Sequence, residues 1–175
     1  MTAVPVVRPD DKDWTWVLQR PCPECGLAAS AVPVQDVAER LRAATAAWVE
    51  VLGRADVRQR PRPDVWSPLE YACHVRDVHT VCDSRLRLML ETVDPLYPNW
   101  DQDATALASD YPGQDPAVVA EQLRTSGLAL AGRFAGVTDW DRPGRRSDGA
   151  SFTVGSFAQY VLHDVEHHLW DVRDV

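Results

Sequence analysis

The stretch Ser67-Pro68-Leu69-Glu70-Tyr71-Ala72-Cys73-His74 reads as the opening of a long helix. Serine can cap the free backbone N–H groups of a first turn. Proline suits the first helical position, where no donor is needed, and a glutamate three residues after the cap can close a capping box. Apolar residues then recur through Tyr71, Val75, Val78, Cys82, Leu86 and Met89, which carries the helix to about Glu91. His74 lies beside that stripe.

Three further segments share the helical period. The first runs from about Val34 to Ala55 through Val37, Leu41, Trp48, Val51 and Leu52. Another starts at an Asp115-Pro116 cap and continues through Val119, Leu123, Leu130 and Phe134. The last follows Thr153 and reaches about Val172 through Phe157, Val161, Val165 and Leu169. No stretch reads clearly as a sheet. The fold class is therefore all-α, a four-helix bundle. The connection from Thr92 to Asp115 is long enough to travel back along a helix, so the second and third segments can run parallel. That gives an up-down-down-up order and sets the start of the second helix level with the end of the fourth. The chain divides into an N-terminal arm, residues 1–33, and a single bundle domain, residues 34–175.

Composition limits the partners. With 45% hydrophobic residues and seven tryptophans, 175 residues can bury a substantial core. The formal charge of −8 argues against nucleic acid, which selects a net-basic surface. No apolar run approaches the ~20 residues that cross a bilayer. Met1 to Asp13 holds prolines and acids where a secretory signal would have a basic start and an apolar centre. The expectation is a soluble cytoplasmic protein with no nucleic-acid or membrane partner, and one bundle face could pair two copies as a homodimer.

Three of the five histidines fall within His163-Asp164-Val165-Glu166-His167-His168. Stepping ~100° per residue centres the apolar side of this helix on Val154, Val161, Val165 and Val172. Asp164 and His168 lie at its edge, where they can turn inward beside His74. His163 and His167 fall on nearly the opposite side and read, with Glu166, as a solvated face. His79 lies ~140° from His74 around its helix and is not expected to join it. The expected metal ligands are His74, Asp164 and His168. Two imidazoles and a carboxylate leave coordination positions open, as in catalytic sites. Zinc is the default ion, with nickel and iron as alternatives. The competing reading is a buried His–Asp pair with no metal.

Cys22-Pro23-Glu24-Cys25 could be half of a zinc site or a redox pair, but no second CxxC follows. A Pro-rich turn with incidental thiols is the simpler reading. Arg142, Arg145 and Arg146 read as a solvated loop, with recognition of an anion as the alternative. Trp66, Trp100, Trp140 and Trp170 read as packing residues, with pocket lining as the alternative.

The segments Trp66–Asp77 and His163–Val172 resemble the second and fourth helices of the DinB family, which includes mycothiol-dependent maleylpyruvate isomerases. Aligning Leu169–Val172 with the family's apolar run again places ligands at Asp164 and His168. Aspartate stands where histidine or glutamate is more usual. The resemblance implies a divalent metal in an up-down-down-up bundle. It also implies transfer of a low-molecular-weight thiol, such as mycothiol or bacillithiol, to a small-molecule electrophile. A metal-dependent hydrolase and a non-enzymatic metal-stabilised binding module are the alternatives.

Overall fold

A computed structural model describes Val7 and residues 13–173, so most of the Met1–Asp13 stretch lies outside the described residues. The Ser67 expectation holds in atomic detail. The Ser67 hydroxyl accepts from the Glu70 N–H, and the Glu70 carboxylate accepts from the Ser67 N–H. Among the helices, α1 spans Val37–Leu52, α2 Pro68–Glu91, α3 Gln102–Ala108, α4 Pro116–Ala135 and α5 Val154–Asp171. Asp115 caps α4 by accepting from Ala117 and Val118, and Thr153 caps α5 by accepting from Ser156. The first helix is shorter than its sequence pattern because Val34–Asp36 form a 3-10 turn before it.

Cross-helix contacts set the directions. Arg76 bonds Gln122, His79 lies against Ser126, and Arg133 pairs with Asp83, so α2 and α4 run parallel. The Gln159 amide reaches the Val32 carbonyl, Arg40 pairs with Glu166, and Arg54 reaches the Val172 carbonyl, so α1 and α5 are parallel. His74, near the start of α2, meets Asp164 and His168 near the end of α5, so those two helices are antiparallel. The order is up-down-down-up.

The core lies between the four long helices. Trp48 is fully buried, and its indole N–H points at the Val165 carbonyl, 3.3 Å away. A cluster of this kind gains roughly 1.5–3 kcal/mol for each large apolar side chain removed from water. At Gly127 the helices α1, α2 and α4 approach closely. A Cβ there would meet the Thr45 side chain and would sit 2.9 Å from His79 Cε1.

The long connections are more ordered than the periodicity suggests. A small three-stranded sheet, unforeseen in the sequence, joins them: β1 (Leu96–Tyr97), β2 (Pro143–Arg146) and β3 (Ser151–Thr153). β1 and β2 are parallel, whereas β2 and β3 are antiparallel. Strands of two to four residues, one of them opening on Pro-Gly, are too short to show the alternation by which strands are recognised. The N-terminal arm also packs. Its 3-10 helix Trp14–Leu18 lies against α5, with Val17, Cys22 and Ala29 buried.

Candidate metal centre

The structure brings His74, Asp164 and His168 together. Asp164 Oδ1 is 3.6 Å from His74 Nε2 and 3.7 Å from His168 Nε2. The two imidazole rings meet edge to face, with centroids 4.9 Å apart. Ligand bonds of about 2.0–2.2 Å around a tetrahedral ion place neighbouring donors about 3.3–3.6 Å apart. The gap therefore fits a divalent cation. Asp164 Oδ1, the donor nearest both imidazole nitrogens, is buried and has no hydrogen-bond partner. A buried carboxylate oxygen without a donor is costly, and a cation relieves that cost.

The surroundings hold these donors in place. Trp66 and Trp100 pack on the His74 ring, each with its centroid 5.5 Å away, and Trp100 is stacked nearly parallel to it. Asp171 Oδ2 lies 2.7 Å from His168 Nδ1. A proton on Nδ1, donated to Asp171, leaves the Nε2 lone pair facing Asp164, the carboxylate–histidine arrangement common behind metal ligands. Burial pushes the Asp164 carboxyl upward, but His74 and then His168 outweigh it and hold it at about 2. Asp164 is thus an anion at neutral pH.

Asp164 forms part of the wall of a cavity of about 900 Å³. Val78, Cys82, Arg85, Trp100, Arg146 and Tyr160 also line it. Of the three loop arginines, only Arg146 reaches this cavity, where it pairs with Asp148. Arg142 instead donates to the Met89 carbonyl, and Arg145 pairs with Asp94. Burial pushes the Cys82 thiol up to about 12 and raises the Tyr160 phenol. Neither group is ionised at neutral pH. Trp140 stacks on Phe134, and Trp170 lies beside His167 and under Arg173.

His163 and His167 correct the expectation of a solvated face. They are 3% and 5% exposed. The reason is a second layer: the arm covers the outer side of α5, and Trp14 packs against both rings. The thiols of the CxxC meet them there, with Cys22 Sγ 3.7 Å from His167 Nδ1 and Cys25 Sγ 3.7 Å from His163 Nε2. Incidental thiols do not describe this arrangement. Burial pushes His163 down to about 4 and lowers His167, so both rings are neutral at pH 7. His79 is buried in the α2–α4 contact, away from His74's partners, and burial pushes it down to about 4.

The family model of the DinB superfamily matches residues 38–172. No curated protein matches the chain. Among solved structures, the fold is similar to YfiT from Bacillus subtilis, described as a probable metal-dependent hydrolase with an unusual four-helix bundle topology. That similarity has a TM-score of 0.63 at 20% identity and covers 95% of this chain and 90% of YfiT. Among the described residues, no helix is long and apolar enough to cross a membrane.

Proposed function

The chain belongs to the DinB superfamily, and on that footing we propose that it is a divalent-metal enzyme transferring a low-molecular-weight thiol to a small electrophile. His74, Asp164 and His168 would hold the ion, with zinc as the default and nickel or iron as alternatives. One observation carries this reading. The cavity beside Asp164 has one thiol among its described lining residues, Cys82, and burial keeps that thiol protonated at neutral pH. A thiolate acting at this site would therefore come from outside the chain.

A divalent cation at this site would lower the pKa of a bound thiol and favour the thiolate. The chain's residues then have separable tasks. Trp66 and Trp100 keep His74 oriented, Asp171 keeps His168 Nε2 directed at Asp164, and Asp164 supplies the negative charge. At about 900 Å³ the cavity falls within the roughly 300–1,000 Å³ of small-molecule sites. Arg146, partly neutralised by Asp148, offers a polar contact for an acidic group on either reactant. In the transfer the S–H bond breaks and its proton goes to solvent, and the sulfur electron pair forms the bond to the electrophilic carbon. The bond from that carbon to its leaving group breaks, releasing an anion such as the chloride of a chlorobimane.

The similarity to YfiT favours hydrolysis as the second reading, with water in place of the thiol. Incubating metal-loaded protein with mycothiol or bacillithiol and a chlorobimane separates the two. Conjugate formation that needs metal and disappears in His168→Ala supports transfer. Metal-dependent cleavage of esters or amides without added thiol supports hydrolysis. Conjugation that is independent of metal refutes the transfer reading.

A further inference from the structure

Cys22, Cys25, His163 and His167 form a second constellation, on the side of α5 away from the bundle core. One donor atom from each residue lies within 4.8 Å of every other. We propose that these four residues form a closed Cys2His2 site for zinc, separate from the His74–Asp164–His168 centre, which clamps the N-terminal arm to α5.

Four observations carry the proposal. The first is distance. With Zn–S near 2.3 Å and Zn–N near 2.05 Å, a tetrahedral ion separates sulfur from nitrogen by about 3.6 Å. Both observed Cys–His separations are 3.7 Å. The second is the turn that presents the thiols. Gly26 has φ +76°, a left-handed conformation that glycine adopts freely. The Gly26 N–H donates to the Cys22 carbonyl, and the Cys22 N–H donates to the Leu27 carbonyl. The turn thus closes on itself, with both cysteines on the side facing α5.

The third observation is the support behind a ligand. His167 Nδ1 faces Cys22, while its Nε2 lies 3.3 Å from Glu24 Oε2 and 3.9 Å from Asp171 Oδ1. A ligating imidazole characteristically directs its other nitrogen at a carboxylate. Glu24 is one of the two residues between the cysteines, so the same turn supplies two ligands and this support. The fourth is charge. Two thiolates and two neutral imidazoles cancel the charge of a divalent ion, so the assembled group is neutral where it is buried. On binding, both thiol protons leave to solvent.

Four protein donors complete a tetrahedron and leave no position for substrate, which makes this a structural site. Its location gives it a consequence. Asp13, Trp14, Thr15, Leu18 and Gln19 of the arm line the 900 Å³ cavity beside Asp164. Trp14 also packs on both histidine rings, with centroids 5.8 and 5.2 Å away. Zinc at the outer site therefore holds one wall of the cavity in place.

The test loads the full chain with cobalt(II) and records thiolate-to-cobalt charge-transfer absorption, alongside zinc content by elemental analysis. The intact protein is expected to show the charge-transfer band. Cys22→Ser/Cys25→Ser should lose the band and one zinc per chain. His168→Ala should keep the band, because it disturbs only the inner centre, so failure there leaves this proposal standing. A second readout needs no substitution: chelator should raise alkylation of Cys25 at least tenfold, located by peptide mass spectrometry. No charge-transfer band in the intact protein, or alkylation unchanged by chelator, overturns the proposal. So does a cysteine double variant that keeps its full zinc content.

Discussion

Asp171 is the residue on which the two metal assignments can be compared most closely. Its Oδ2 is 2.7 Å from His168 Nδ1, whereas its Oδ1 is 3.9 Å from His167 Nε2. The first is a hydrogen bond to a charged acceptor, and the second is too long to be one. Removing a carboxylate behind a ligating histidine costs 10–100-fold in metal affinity, about 1.4–2.8 kcal/mol. Asp171→Asn leaves an amide oxygen able to accept from Nδ1 but removes the charge. It should lie near the tenfold end, because charge-assisted bonds are roughly twice as strong as neutral ones. Asp171→Ala should lie near the hundredfold end. The outer site, with Glu24 behind His167 at 3.3 Å, should change less than threefold in either variant. Competition titration against a chromophoric chelator resolves the two affinities, and cobalt charge transfer identifies which belongs to the cysteines. Equal losses at both sites, or no loss at the cysteine-free site in Asp171→Ala, would show that Asp171 does not support His168 as a metal ligand.

Other perturbations test the frame that positions these sites. Gly127→Ala should cost about 1–3 kcal/mol in urea unfolding, because the added methyl meets Thr45 and His79 at a tight helix crossing. Glu70→Ala removes the capping box and leaves the mostly buried Arg60 without that carboxylate, for an expected loss of about 3 kcal/mol. Burial alone would raise the Glu70 carboxyl, but Arg60 and Ser67 lower it below its usual 4.5. Its stabilisation is therefore complete above pH 4.5 and lost as pH falls below it, so Glu70→Gln should flatten that part of the stability profile. His79 is held down at about 4 from 6.5, so the protein loses stability as pH falls between those values. Its Nε2 is buried without a partner. His79→Leu should be nearly neutral at pH 7.5 and should retain about 2–3 kcal/mol more stability than the parent at pH 4.

Much of the bundle was legible because local chemistry and tertiary structure agree at its helix starts. Ser67, Asp115 and Thr153 each carry a capping signal that the fold uses. The inner face of α5 could likewise be read from periodicity, since Val154, Val161, Val165 and Val172 are buried where the 100° step puts them. That step also turned Asp164 and His168 toward His74. It could say nothing about a second layer. His163 and His167 lie away from the bundle core, and only the fold of the arm decides that they are covered. A CxxC more than 130 residues from an HxxxH gave a usable signal, two half-sites of matching chemistry, but periodicity treats each segment alone. The sheet was hidden for a different reason: β2, Pro143-Gly144-Arg145-Arg146, has neither strand propensity nor alternation. A Cβ at its Gly144 would lie 2.7 Å from Met89 Cγ, so any larger residue there would displace the Met89 side chain.

Elemental analysis of the purified chain beside His74→Ala/His168→Ala tests the inner centre directly. Two divalent ions per chain are expected in the intact protein and one in the double variant. An intact protein without stoichiometric metal, or a double variant that keeps the full complement, would contradict the assignment of His74, Asp164 and His168 as the metal centre.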